Sequence, residues 1–261
     1  MAKIGIFDSG IGGLSVLNEA LLQAPGHDFI YLADSLHAPY GEKSSEWVAH
    51  RSLILCTWLI EQACDAIVVA CNTATASAIA QIRTTFPGTP VVGVEPGVKP
   101  AAEASQKKIV GVLATQNTLQ SEKFKQLLSH LGSNCTVLSQ AGKGLVPLIE
   151  SGVLTGPKIN ALLRTYIEPM LENGADTLVL GCTHYPFLQD TIKSLFGERL
   201  EIIDTSHAIV KQLVRLIPPQ SKTQGSVVFY STKNGIQLLE LANKLLPINY
   251  LRGAGSHTMT L

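Results

Sequence analysis

Along the chain, short unbroken runs of apolar and β-branched residues alternate with longer stretches in which apolar positions recur every three or four residues. The runs occupy residues 4–7, 29–32, 66–70, 91–94, 109–113, 177–180, 201–203 and 227–230. Small or polar turn residues close each run, and helical periodicity follows. It predicts helices over residues 13–24, 44–63, 74–86, 121–131, 158–172, 187–195, 208–216 and 234–246. Strands that are apolar throughout, rather than alternating, are those covered on both faces. The pattern therefore predicts an α/β fold of mostly parallel sheets flanked by helices.

Two of these segments repeat each other. Cys64-Asp-Ala-Ile-Val-Val-Ala-Cys71-Asn-Thr aligns without gaps to Ala175-Asp-Thr-Leu-Val-Leu-Gly-Cys182-Thr-His. A weaker echo joins Gly5-Ile-Phe-Asp8-Ser9 to Gly111-Val-Leu-Ala-Thr115. The repeat predicts two pseudo-symmetric α/β lobes, residues 1–97 with 208–261 and residues 98–207, with an active site in the cleft between them. The chain is expected to cross between lobes at residues 95–100 and again near 203–208.

Composition narrows the function. The 261 residues are 46% hydrophobic and 15% charged, which excludes a disordered chain. Twenty basic residues balance 20 acidic ones, so the electrostatic footprint of a nucleic-acid binder is absent. No polybasic block suggests an anionic membrane surface, and the apolar runs are far too short to span a bilayer. Five widely spaced cysteines and an opening Met-Ala-Lys-Ile-Gly-Ile without a signal-peptide core fit a reduced cytoplasmic enzyme.

Parallel sheets bind ligands beyond the carboxyl ends of their strands. The polar residues there are Asp8-Ser9, Asp34, Cys71-Asn72-Thr73, Glu95, Thr115 with Thr118, and Cys182-Thr183-His184. A strand-end cysteine at the mouth of a helix gains acidity from the helix N-terminus, which favours the thiolate. Two such thiols on equivalent lobes can act as opposed bases, one removing a proton from a carbon acid and the other replacing it. Inversion of configuration follows. A lone strand-end cysteine is also a small buried hydrophobe, the reading that suits Cys56 and Cys64 beside Trp58, Leu59 and Ile60. Cys135 reads as loop or strand-edge filler.

The segments Phe7-Asp-Ser-Gly-Ile-Gly-Gly-Leu-Ser-Val16, Ala33-Asp-Ser-Leu-His-Ala-Pro-Tyr-Gly-Glu-Lys43, Ala70-Cys-Asn-Thr-Ala74, Leu145-Val-Pro-Leu-Ile-Glu150 and Leu180-Gly-Cys-Thr-His-Tyr-Pro186 resemble the glutamate racemase family, in that family's order. The C-terminal third matches only loosely. The resemblance implies a cofactor-independent enzyme that interconverts L- and D-glutamate and supplies D-glutamate for peptidoglycan, commonly as a homodimer. It implies that Cys71 takes the α-proton from D-glutamate and Cys182 from L-glutamate. Asp8 would assist Cys71, His184 would assist Cys182, and Glu150 would orient that second half. Ser9, Tyr40, Gly41, Asn72, Thr73, Thr115, Thr118 and Thr183 match positions that hold the substrate's carboxylates and ammonium.

Other readings of these residues stand beside it. Asp8 suits a cap for the following helix, His184 a turn histidine, Tyr40 turn packing and Glu150 an exposed helix end. Asp34 and Glu95 are read as structural strand-end acids outside the catalytic set. Gly10-Ile-Gly12-Gly13 after a strand, with Asp34 ending the next, resembles a dinucleotide site, but Ser15 breaks the glycine pattern and Asp8 would repel pyrophosphate. No lysine stands at a strand end for pyridoxal phosphate, and a zinc site from Cys71, Cys182 and His184 lacks a close cysteine pair. Racemisation of aspartate or a related small amino acid, and amino-acid binding without catalysis, remain as alternatives. Residues 253–261 are expected to form a mobile tail.

Overall fold

A computed structural model describes residues 1–219, 223–246, 251 and 253–261. The chain forms two compact units, Met1–Val94 with Ser206–Leu261, and Glu95–Thr205.

The first unit runs β1 (Lys3–Asp8), α1 (Leu14–Gln23), β2 (Asp28–Ala33), α2 (Ser45–Glu61), β3 (Ala66–Val69), α3 (Asn72–Thr85) and β4 (Val91–Gly93). The second contains α4 (Val98–Ala104), β5 (Ile109–Ala114), α5 (Gln116–Gln120), α6 (Glu122–Ser129), β6 (Thr136–Ala141), α7 (Leu145–Glu150), α8 (Pro157–Glu172), β7 (Thr177–Gly181), α9 (Gln189–Phe196) and β8 (Glu201–Ile203). The chain then returns to the first unit as α10 (Ser206–Leu216), β9 (Val227–Ser231), α11 (Gly235–Leu245) and β10 (Gly255–Thr258).

Among the described residues every pairing is parallel. The first sheet has the order β10-β9-β2-β1-β3-β4 and the second β6-β5-β7-β8. The second sheet thus reproduces the β2-β1-β3-β4 portion of the first. Registers agree as well. Ile4 pairs with Ala66 and Phe7 with Val69, just as Val110 pairs with Thr177 and Leu113 with Leu180. The sequence repeat is a structural repeat of the two central strands.

Burial explains the uninterrupted apolar runs. β3 and β7 are buried at every position, and β1 at all but its first. In the first unit, Val48, Leu55 and Leu59 of α2 and Ala78, Ile79 and Ile82 of α3 share a buried cluster with Phe7, Leu32, Ile67 and Val69. In the second, Ile159, Leu163, Ile167 and Met170 recur every three or four residues along α8, all buried. Each such aliphatic side chain contributes about 1.5–3 kcal/mol of transfer free energy. Gly5 lets α2 approach β1 closely, since a Cβ there would lie 2.9 Å from the end of the Leu59 side chain.

Besides the short helices α5 and α7, which no predicted helix covers, three elements depart from the expectation. The edge strand β6 is at most half-buried, so its sequence Thr-Val-Leu-Ser-Gln-Ala carries no continuous apolar run. The short α4 lies in what reads as a crossing segment, with Pro100 in its first turns. The expected mobile tail is instead the strand β10, paired with β9 from Gly255↔Val228 to Thr258↔Ser231. Its polar Gly-Ser-His-Thr hides a strand that is held by main-chain pairing rather than by apolar burial. Met259 beyond it packs on the α2–α3 cluster. Among the described residues no helix is long and apolar enough to cross a membrane.

Candidate active site

Parallel strands deliver their last residues to one edge of each sheet, and the expected site residues gather at those edges. In the first unit, β1 ends in Asp8, followed by Ser9, while neighbouring β3 leads through Ala70 to Cys71. Continuing the register beyond Phe7↔Val69 sets Ser9 beside Cys71, and Cys71 Sγ lies 3.9 Å from Ser9 Oγ. Cys71 keeps an extended backbone and forms the N-cap of α3, its sulfur accepting from the Ala74 N–H at 3.5 Å. A sulfur in that position faces the positive end of a helix of fourteen residues, which favours the thiolate.

Asp8 is fully buried and its Oδ1 accepts from the Gly10 N–H at 2.8 Å. The helix-cap reading of Asp8 is set aside, because α1 is capped by Gly13 without any side-chain bond. Glycine is required there. A Cβ on Gly13 would lie 2.8 Å from Asp8 Cβ, 3.0 Å from the Tyr31 hydroxyl and 3.1 Å from Ala70 Cβ. Tyr31 in turn donates to the Gly10 carbonyl at 2.7 Å and pins the loop. Asn72 and Thr73 open α3, both buried. Asn72 Nδ2 is buried with no hydrogen-bond partner in the protein, an arrangement that costs about 1–3 kcal/mol unless a ligand accepts the bond.

Tyr40 and Gly41 begin a 3-10 turn, Tyr40–Glu42, that packs on α3. The Tyr40 hydroxyl is buried and donates to Asp34 Oδ2 at 2.5 Å. Burial raises its pKa far above the usual phenol range, and the neighbouring charges of Asp34 and Cys71 raise it further. Asp34, at the end of β2, receives the Arg51 guanidinium through two bonds of 2.9 and 2.7 Å and the Thr232 hydroxyl at 3.0 Å. Burial alone would raise the Asp34 pKa, but the bonds from Arg51, His37 and Tyr40 hold it below the ordinary value. So Asp34 is structural, as expected, although side chains rather than loop N–H groups surround it. It is also unavailable to a ribose. Sequence reasoning missed Arg51. The available signal was its place on the same helical face as Val48, Ser52 and Leu55, all buried.

The second unit repeats the arrangement with different helpers. β5 ends at Ala114, where β1 carries Asp8, and Thr115 follows in the place of Ser9. Thr115 caps α5, accepting from the Thr118 N–H at 3.3 Å, and the two threonine hydroxyls are 2.9 Å apart. β7 leads into Cys182, Thr183 and His184, all buried. Cys182 Sγ is 3.8 Å from His184 Nδ1, and His184 Nε2 is 2.6 Å from Glu150 Oε1 at the end of α7. Burial works against the imidazolium, yet the bonds to Cys182 and Glu150 outweigh it and raise the His184 pKa well above its ordinary value. The result is a thiol–imidazole–carboxylate chain in which Glu150 and Cys182 flank a His184 that favours its protonated form. Glu150 is therefore engaged with His184, and only 19% of its side chain is exposed.

The remaining cysteines have other surroundings. Burial pushes the Cys56 thiol up to about 12 and the Cys64 thiol up to about 11, so both stay protonated near neutrality. All five cysteines are free, and Cys135 is half-buried next to β6. Glu95 pairs with Lys123 on the surface of the second unit. Among the described residues no group of three or more His, Cys, Asp or Glu side chains has the geometry to hold a metal ion.

Residues 11–213 match the family model described as Asp/Glu/Hydantoin racemase. The chain is 52% identical over 252 residues to the glutamate racemase of Cupriavidus pinatubonensis, covering 95% of this chain and 92% of that protein. Among solved structures it is similar to the glutamate racemase isoform RacE1 of Bacillus anthracis, with a TM-score of 0.84, 30% identity and 93% of each chain covered. It is also similar to Escherichia coli glutamate racemase, solved with L-glutamate and the activator UDP-MurNAc-ala, with a TM-score of 0.83, 29% identity and 99% of each chain covered.

Proposed function

This chain belongs to the Asp/Glu/Hydantoin racemase family, and from that premise we propose that it racemises glutamate by a two-thiol exchange of the α-proton. The observation that carries the mechanism is the repeated strand pair, which ends once in buried Cys71 and once in buried Cys182 with matching register. As thiolate, Cys71 takes the α-proton of D-glutamate, and the electron pair passes into the α-carboxylate as an enolate-like anion. Cys182, as thiol, returns a proton to the opposite face and becomes the thiolate. L-glutamate forms, and the enzyme is left with its proton on the other sulfur. The reverse reaction begins from that form.

The helpers divide the work. Asp8 and the N-terminus of α3 serve the Cys71 side, while His184 backed by Glu150 serves the Cys182 side. Ser9, Asn72, Thr73, Thr115, Thr118, Thr183 and the Tyr40–Gly41 turn supply neutral donors for the substrate's charges. Donors aimed at the α-carboxylate stabilise the anion as it develops. Because the Tyr40 hydroxyl is committed to Asp34, that turn acts through its main chain. The unpartnered Nδ2 of Asn72 supports a direct substrate contact. On this reading the enzyme uses no cofactor, works in the cytoplasm as a homodimer and supplies D-glutamate for peptidoglycan.

The test is incubation of each pure enantiomer of glutamate, and of aspartate, in D₂O with polarimetry and NMR. Glutamate should racemise, with α-deuterium in the product enantiomer, and aspartate should not. Cys71→Ser and Cys182→Ser should each abolish racemisation with the melting curve unchanged. Near wild-type racemisation by either variant overturns the two-thiol mechanism.

A further inference from the structure

The geometry points to Arg51 and Asp34 as positioning residues for the Cys71 half of the site, acting through Tyr40. The inference rests on the assignment of Cys71 as the base that works on D-glutamate.

Arg51 lies in the middle of α2, 6% exposed, on a face otherwise made of Val48, Ser52 and Leu55. Asp34 is fully buried. Replacing a buried ion pair with apolar residues of similar volume is often neutral or stabilising. Stability alone gives no reason for a charge pair here, so the pair needs a geometric one. The guanidinium supplies it by using three nitrogens at once. Nε and Nη2 grip the two Asp34 oxygens at 2.9 and 2.7 Å, and Nη1 donates to the Leu261 carbonyl at 2.9 Å. Asp34 is thereby fixed in rotation, and its Oδ2 receives the Tyr40 hydroxyl.

Tyr40 transmits that constraint. Trp47 packs edge-on against its ring at 5.6 Å between centroids, and the turn it begins packs on α3. Tyr40 and Cys71 belong to one buried cluster. A tilt of the Asp34 carboxylate therefore moves the Tyr40–Gly41 turn relative to the first residues of α3, where the Cys71 sulfur is held by the Ala74 N–H. Neither Arg51 nor Asp34 touches the reacting atoms on this reading. They fix the distance between the turn that holds the substrate and the sulfur that takes its proton.

Arg51→Lys and Tyr40→Phe test this. A lysine ammonium is a single point donor and cannot reproduce the three-point fork, so kcat/KM should fall by about 10- to 100-fold. Enantiomers have equal free energies, so kcat/KM must fall equally for both and cannot say which half-site is damaged. The α-deuterium isotope effect can. If transfer at Cys71 is slowed, the effect on kcat/KM should rise with α-deuterated D-glutamate and fall toward unity with α-deuterated L-glutamate.

Isotope effects do not depend on the fraction of protein that is active, so partial misfolding leaves the readout intact. Should Arg51→Lys fail to fold, Tyr40→Phe carries the same expectation. Two unchanged isotope effects with reduced kcat/KM would mean a merely structural pair and overturn the inference. So would a wild-type kcat/KM, or a shift in the opposite sense. If the unaltered enzyme does not exchange the α-proton of glutamate at all, the functional reading fails instead.

Discussion

Glu150→Gln isolates the charge at the far end of the Cys182 chain while keeping its shape. Glutamine still offers an acceptor to His184 Nε2, which lies 2.6 Å from Glu150 Oε1. What disappears is the negative charge that helps raise the His184 pKa. Two unit charges about 4 Å apart interact by about 4 kcal/mol at an effective dielectric constant near 20. The 19% exposure of the Glu150 side chain lets solvent screen part of this, and the retained hydrogen bond keeps another part. About 1–2 kcal/mol remains. At about 1.4 kcal/mol per pKa unit, the His184 pKa should fall by about one unit. In the proposed mechanism a protonated His184 assists Cys182, so the alkaline limb of the pH–kcat/KM profile should move down by the same amount. The assay is polarimetric racemisation across pH 6–10, with the substrate ammonium titrating identically in both enzymes. An alkaline limb that stays in place, or moves up, refutes the claim that Glu150 acts electrostatically through His184.

Three further outcomes follow from the site geometry. Asn72→Ala removes a buried donor that has no protein partner, so the melting temperature should hold or rise while KM for glutamate increases about tenfold; an unchanged KM would remove Asn72 from the substrate contacts. Gly13→Ala forces a methyl group to within 2.8 Å of Asp8 Cβ, and should cost about 1–3 kcal/mol in urea unfolding together with a loss of kcat; full activity would show that Asp8 has room to move. Asp34→Asn leaves Arg51 buried without a counter-charge and should cost about 3–5 kcal/mol near pH 7. Because the folded Asp34 pKa is depressed, its contribution is present above the unfolded value of about 3.9 and lost as pH falls through the folded value. The stability gap between the two proteins should therefore close on acidification below pH 4, and a constant gap contradicts the ion-pair account.

How legible the molecule was in its sequence depended on what held each part in place. β1, β3, β5 and β7 are buried by helices on both sides, so their apolar runs and even their mutual repeat can be read directly. β6 and β10 lie at sheet edges and are polar, held by main-chain pairing, whereas the other two edge strands, β4 and β8, keep short apolar runs that can be read. The two polar edges were accordingly missed. The same division applies within the site. Cys71 and Cys182 announce themselves by repetition, and the resemblance to a known family points to His184 and Glu150. Nothing local joins Asp34 to Arg51, Thr232 and Leu261, because those bonds span 17, 198 and, from Arg51 onward, 210 residues. Only the misfit of an arginine on a buried helical face marks the place. Asn72 is a different case, since its lack of a partner is visible only when every neighbour is known.

The wiring of Asp34 also has a consequence for how the protein is made. Residues Glu95–Thr205 form a continuous unit that can close its own sheet while the rest of the chain is still being synthesised. The first unit cannot. β2 acquires its outer neighbour only when β9 has emerged, Asp34 waits for Thr232, and Arg51 waits for Leu261. The unit that carries Cys182 can thus be in place on the ribosome before the Asp34–Arg51 contacts of the unit that carries Cys71, although Cys71 lies much earlier in the chain.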